Sequence, residues 1–371
     1  MSAKPPILPA GQNATRLWGL TSEQRLARIG AAQGHMLSGG ARATTAAIVA
    51  NLAFVFDPAW LRTISAKPGA VLMRDGVPVL AHCRDQREAA AMALAIEGKA
   101  PIPADLERIR FEEADAQTNN ELRKKEKPFV ERLVPEAVPA LERASYFGAY
   151  KGVTDLLTKY LWPEWALVAT RWCAARGITP NQVTSVGIAL CLAATVAFWF
   201  GYYWAGMAMG LVFMVLDTVD GKLARCTITS SKLGDFLDHG VDLVHPPFWW
   251  YAWGVGLHAY GRPLSPASFA IVMATILAGY VVQRLIEGAF IAQFKMHIHV
   301  WERFDSWFRL ITARRNPNMV ILFASVVIFR PDWGLIAVAA WTGLSCLVHL
   351  VRLVQAWMVR AKGGEIRSWL A

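Results

Sequence analysis

The sequence predicts an α-helical integral membrane protein with six transmembrane helices, preceded by a small N-terminal α/β domain in the cytosol. Beyond about residue 180 long apolar runs dominate, whereas before about residue 150 charged and apolar residues mix as in a soluble domain. Basic residues crowd into every second gap between the apolar runs. Four carboxylates, Asp217, Asp220, Asp238 and Asp242, sit at the edges of two runs, where acids are costly unless they pair, hydrate or bind metal. The net charge of +10 over 371 residues suits nucleic acid or an anionic membrane face, and the aromatic-rich runs decide for the membrane. No nucleic-acid partner is expected. Cys83, Cys173, Cys191, Cys226 and Cys346 show no CxxC spacing, so neither a disulfide framework nor a zinc site is indicated.

Residues 1–140 read as the cytosolic α/β domain. The opening MSAKPPILPAGQNATRLWG lacks the apolar core of a signal peptide, which keeps this domain on the cytosolic side. An amphipathic helix is expected at Glu23–Ala32, strands at Thr45–Phe56 and Ala70–Cys83, and an alanine-rich helix at Arg87–Glu97. Asp75-Gly76 divides the second strand run as a tight hairpin turn. The charge run NELRKKEK, residues 120–127, reads as a solvated helix face.

Residues 141–180 form an interfacial linker in which basic residues alternate with Trp and Tyr, as in an amphipathic helix lying at head-group level. Pro180 and Asn181 end that element and Thr184 opens the next. Residues 181–371 hold the spans, drawn at Val183–Phe200, Trp204–Leu223, Leu233–Leu257, Phe269–Ala292, Met319–Phe329 and Trp333–Val359, the fifth being short for a bilayer. The basic-residue asymmetry puts both termini and all four acids in the cytosol.

Spacings of i,i+3 and i,i+4 project each acid pair from one helix face, so two adjacent helices can gather four carboxylates into one cavity. Such a cluster needs cations, and oxygen-only ligands favour Mg²⁺ or Mn²⁺. Gly221 and Ala224 are small enough to let a flat base or a phosphate approach the helix, and Lys222 and Arg225 bring charge suited to phosphate. The whole pattern is DxxDGxxAR, eight residues, then GxxxDxxxD, with Gly234, Asp238 and Asp242 in the second half. It resembles the signature of the CDP-alcohol phosphotransferases, membrane enzymes of phospholipid synthesis, and the upstream TPNxxT at residues 179–184 resembles their segment before the first membrane helix.

The resemblance implies metal-dependent transfer of a phosphatidyl or phosphoalcohol group from a CDP-linked donor to an alcohol acceptor, with release of CMP. It implies Asp242 as base and metal ligand, with Asp217, Asp220 and Asp238 as ligands to two Mg²⁺ or Mn²⁺ ions. Asn181, Thr184, Asp217, Gly221, Ala224, Arg225 and Gly234 are then the nucleotide-binding residues, and a homodimer is expected. Lys232, Arg284, Arg314 and Arg315 are candidates for the acceptor, although Arg284 can equally be an internal ion pair with Glu287. His297 and His299 read as interfacial, having no carboxylate at ligand spacing; His239 and His245 flank the acids as supporting groups. The N-terminal domain resembles a worn sugar-nucleotidyltransferase domain, with Gly39-Gly40-Ala41-Arg42 in place of a full glycine-rich loop and no acid directly before Phe54-Val55-Phe56. That departure implies a non-catalytic domain rather than an active cytidylyltransferase. An ion-coupled transporter, with the acids as its cation path, is the alternative reading of the whole chain.

Overall fold

The computed structural model describes residues 4–38, 46–230 and 232–371, and the side chains at 232, 233 and 235–239 lie outside the described residues. The expected roles of Lys232, Asp238 and His239, and the loop at Gly39–Arg42, therefore fall outside them.

The N-terminal part runs β1 (Ile7–Ala10), β2 (Arg16–Leu17), β3 (Leu20–Thr21), α1 (Ser22–Ala32), β4 (Ala47–Asn51), β5 (Phe54–Phe56), α2 (Pro58–Ser65), β6 (Ala70–Arg74), β7 (Val77–Cys83), α3 (Gln86–Ile96), β8 (Glu107–Arg110), β9 (Gln117–Asn119), β10 (Lys124–Glu126) and β11 (Val130–Arg132). Five strands form one mixed sheet in the order β1-β4-β7-β6-β8. Its central strands are buried on both faces. Ile48, Ala50, Leu72 and Leu80 pack with Leu26, Ile29, Trp60 and Leu61 of α1 and α2, while Ala47, Val49, Val71 and Ala81 pack with Ala89 and Met92 of α3. The hairpin turn falls at Asp75-Gly76 as expected, with φ of 49° and 76°, the two positive values of a type I′ turn.

Two local expectations need correction. The run Thr45–Phe56 is not one strand: β5 leaves the main sheet and pairs antiparallel with β11. The bend follows from Asn51, whose side chain accepts from the Ala53 amide at 2.9 Å and so forms a turn within the run. The charged stretch at 120–127 is no helix face either, because β9 and β10 pair antiparallel around it. Arg123, at φ 50°, makes the turn.

The chain continues through α4 (Val138–Gly148), a π-type turn at Leu157–Leu161, α5 (Pro163–Ala175), α6 (Pro180–Trp199), α7 (Tyr203–Thr227), α8 (Lys232–Ala259), α9 (Pro266–Phe294), α10 (Arg303–Phe308), α11 (Arg315–Val327) and α12 (Pro331–Ala361). The linker is thus broken rather than one amphipathic helix, and α5 presents an exposed apolar stripe of Trp165, Val168 and Trp172. α6 begins at Pro180, not at Thr184, because Thr179 caps it in a reciprocal box with Gln182 and proline is favoured at the first helical position.

Among the described residues three helices, α6, α9 and α12, are long and apolar enough to cross a membrane. Only 33%, 28% and 39% of their most apolar windows are buried in the fold, so most of that surface faces outward, as lipid contact requires. The expected six-span count is not reached on these criteria. α11 has only 13 residues, and α7 carries Asp217, Asp220, Lys222 and Arg225 along its second half.

An aromatic core joins α6, α7 and α8 through Phe198, Tyr203, Trp249 and Trp253, with the Tyr203 hydroxyl donating to the Trp253 carbonyl at 2.7 Å. Gly256 permits the crossing, since a Cβ there would stand 1.9 Å from the Phe198 carbonyl oxygen. Pro246 and Pro247 lie within α8 and deprive the Asp242 and Leu243 carbonyls of their helical donors. The Tyr280 hydroxyl of α9 donates to the Leu243 carbonyl at 2.7 Å, so α8 and α9 are tied one residue after Asp242.

Candidate active site

α7 and α8 bring Asp217 and Asp242 onto one guanidinium. Arg315, the first residue of α11, donates from Nη2 to Asp217 Oδ2 and from Nη1 to Asp242 Oδ1, both at 2.6 Å. Its Cζ lies 5.0 Å from the Phe213 ring centroid, and its Nε donates to Asn316 Oδ1 at 3.0 Å. The fork is therefore held on every side. Asn316 is fixed in turn, its Nδ2 donating to Asp155 Oδ1 at 3.0 Å and to Thr158 Oγ1 at 3.1 Å. Burial alone would raise the Asp155 carboxyl, but the Arg309 charge, the Thr158 donors and Asn316 outweigh it and hold it below its ordinary value.

Asp220, only 4% exposed, accepts from Thr184 Oγ1 of α6 at 2.6 Å and from the Gly221 amide at 2.6 Å. The expected sites at Thr184, Asp217, Asp220, Asp242 and Arg315 thus meet where α6, α7, α8 and α11 converge. The oxygen-only donor set of these carboxylates is the kind that Mg²⁺ or Mn²⁺ takes, once Arg315 is drawn aside. Gly221 and Ala224 follow on α7. Arg225 folds back over Gly221, where an added Cβ would come within 3.1 Å of its Nη2. Asn181 is exposed at the start of α6, and its carbonyl accepts from Ser185 at 2.9 Å. His245 is buried, its Nδ1 donating to the Val241 carbonyl at 2.6 Å, one turn beyond the acids. Lys222 departs from expectation. Its Nζ reaches the Ala149 carbonyl at 3.1 Å and the Tyr150 ring at 3.7 Å, so it anchors α4 instead of facing the acids.

Arg284 and Arg314 belong to a second cluster. Arg284 Nη1 lies 3.2 Å from Glu287 Oε2, as the ion-pair reading has it, and Arg314 also donates to Glu287. His299 lies 3.3 Å from the same carboxylate and is 2% exposed, which overturns the interfacial reading: its partner is 12 residues earlier in sequence, across the turn after α9. Burial holds His299 well below its ordinary imidazole value, against the pull of Glu287. The ligand atoms of Glu287, His299 and His349 lie within 4.8 Å of one another. A metal there would have to displace two arginines from Glu287, with Arg314 also 3.2 Å from His299 Nε2, so this cluster reads as an ion-pair network. Glu287→Gln leaves both guanidinium groups without their shared counter-charge and is expected to cost about 3–5 kcal/mol. Thermal unfolding checks this, and an unchanged transition would contradict it.

The sequence reading missed Asp155 and Thr158. Their signal was a lone acid three residues before a threonine within a basic, aromatic stretch, the spacing of a side-chain cap, which the structure contains as Asp155 Oδ1 accepting from the Thr158 amide at 3.0 Å.

Residues 177–348, which contain all of the signature, match the family model described as CDP-alcohol phosphatidyltransferase. The chain is 36% identical over 126 residues to cholinephosphotransferase 1 of Gallus gallus, covering 31% of this chain and 36% of the relative. It is 42% identical over 72 residues to archaetidylinositol phosphate synthase of Pyrococcus horikoshii, covering 19% and 37%. The chain thus spans just over a third of the length of these curated relatives. The crystal structure of Mycobacterium tuberculosis phosphatidylinositol phosphate synthase with CDP-DAG bound aligns at a TM-score of 0.38 and 20% identity, over 51% of this chain and 92% of that one.

Proposed function

We propose, from the match of residues 177–348 to the CDP-alcohol phosphatidyltransferase family model, that the protein is a membrane enzyme transferring a phosphatidyl or phosphoalcohol group from a CDP-linked donor to an alcohol acceptor. The observation that carries the reading is the meeting of Asp217 and Asp242, from two helices, on Arg315, beside Asp220 held by Thr184.

Asp242, the most exposed of the three described acids, takes the proton from the acceptor hydroxyl. The acceptor oxygen bonds to the attacked phosphorus while the bond to the CMP oxygen breaks, and CMP leaves with that electron pair. Asp217, Asp220, Asp238 and Asp242 would hold two Mg²⁺ or Mn²⁺ ions, which supply charge neutralisation for the diphosphate and the departing CMP. Gly221 and Ala224 leave room for the cytidine, lined further by Asn181, Thr184, Arg225 and Gly234. Arg315, and Lys232 with it, bring positive charge toward the acceptor, whereas Arg284 and Arg314 stay bound in the Glu287 network. Six helices span the bilayer, with both termini and the acids on the cytosolic side, and the protein works as a homodimer. The N-terminal domain is nucleotidyltransferase-like and non-catalytic.

Purified protein in lipid vesicles, offered CDP-diacylglycerol or CDP-choline with a panel of alcohols and diacylglycerol, is expected to release CMP only with Mg²⁺ or Mn²⁺. Cation flux across those vesicles without nucleotide consumption would identify a transporter instead.

A further inference from the structure

The C-terminal turn of α7 is held by residues far outside the matched domain. The last carbonyls of a helix have no donor within it, and a cation is favoured there. Two such carbonyls receive arginines from one face of α1: Arg25 Nη1 donates to the Cys226 carbonyl at 2.9 Å, and Arg28 Nη1 to the Thr227 carbonyl at 2.7 Å. Arg25 is 4% exposed.

Ile228, the residue that ends α7, adds a second and independent sign. It adopts the left-handed conformation at φ 54° and ψ 52°, which a β-branched residue enters only against steric cost and which glycine or asparagine would fill at less. Its side chain packs on the core that Leu26, Ile29, Phe54 and Phe56 build in the N-terminal domain. The strain is thus matched by a plug seated in the other domain. Earlier on α7, Val219, Leu223 and Cys226 pack with Leu17, Trp18 and Val55. These positions interleave with Asp220, Gly221, Ala224 and Arg225, so the face of α7 buried against the N-terminal domain fixes the rotation of the face that carries the signature.

We propose that the N-terminal α/β domain is a positioning unit for the acid-bearing helix, with Arg25 and Arg28 as its clamp and Ile228 as its plug. The reaction role rests on the proposed transferase activity; the mechanical role does not. Neither arginine touches the acids. Loosening the clamp lets the last turns of α7 fray and shift, which displaces Asp217 and Asp220 relative to Thr184 and to Asp242.

The test uses the full chain in lipid nanodiscs. Arg28→Met changes a half-buried residue and spares the domain core, Arg28→Lys keeps the charge, and Ile228→Gly relieves the backbone strain while removing the plug. Hydrogen exchange of the amides at 224–229 is expected to speed about 10-fold or more in Arg28→Met and in Ile228→Gly, the loss of one charge-assisted hydrogen bond or of the seated side chain. Mn²⁺ affinity, read by calorimetry, is expected to fall about 10-fold in both, and Arg28→Lys to recover most of each effect. Wild-type exchange and wild-type Mn²⁺ affinity in Arg28→Met and Ile228→Gly would overturn the proposal. Faster exchange with unchanged Mn²⁺ affinity would overturn it too, reducing the contact to packing. Should the wild-type protein bind no Mn²⁺ at all, the transferase reading fails, and the exchange rates still decide whether the clamp exists.

Discussion

Asp242→Asn is expected to leave the protein folded and to lower CMP release by about 10²–10⁴-fold, the usual contribution of a general base. The two effects separate because of where the side chain lies. Its carboxylate is 46% exposed, and an asparagine oxygen can still accept from Arg315 Nη1, which retains Asp217 as its charged partner. The lost ion pair therefore costs at most about 1 kcal/mol of stability. The amide cannot take a proton from the acceptor, so the loss falls on kcat. Thermal unfolding together with initial rates of CMP release checks both halves, and full turnover in the variant would remove Asp242 from the role of base.

Ala224→Leu is expected to weaken CMP binding by about 10–100-fold, the range that 1–3 kcal/mol of overpacking produces. Ala224 is half-buried and does not belong to the stripe of Val219, Leu223 and Cys226 that packs on the N-terminal domain. The added bulk thus enters the space beside Gly221 and Arg225, not the domain contact. Leucine is a good helix former, so α7 persists. Calorimetric titration of CMP, with Mn²⁺ titrated separately, separates nucleotide loss from site collapse: Mn²⁺ affinity is expected to survive. Wild-type CMP affinity in the variant would put the cytidine elsewhere.

Much of the site was legible because the signature is local. Asp217 and Asp220 lie one helical turn apart, and their spacing alone predicts a shared face. What completes the site is not local. Arg315 reaches Asp242 across 73 residues and Asp217 across 98, and sequence gave no reason to separate it from Arg314, its neighbour. The two point to different clusters because Arg315 opens α11 while Arg314 caps it in extended conformation. Lys222 was misread for the same reason, since its contacts with Ala149 and Tyr150 depend on where α4 docks. In the N-terminal domain the Asp75-Gly76 turn and helices α1 and α3 followed from local chemistry within a residue or two. The pairing of β9 with β10 ran against a charge run that reads as helix surface, and only the turn at Arg123 reconciles them. The span count is met only in part: α7, with its acids, and the short α11 fall outside the length-and-hydropathy limits that α6, α9 and α12 satisfy among the described residues, while packing keeps them beside α6 and α12.

Anomalous diffraction from crystals grown with Mn²⁺ and CMP tests the central claim most directly. The account predicts two manganese peaks among Asp217, Asp220, Asp238 and Asp242, with Arg315 drawn off at least one carboxylate and CMP lying along Gly221 and Ala224. Manganese at Glu287, His299 and His349 with none at the four aspartates would contradict it.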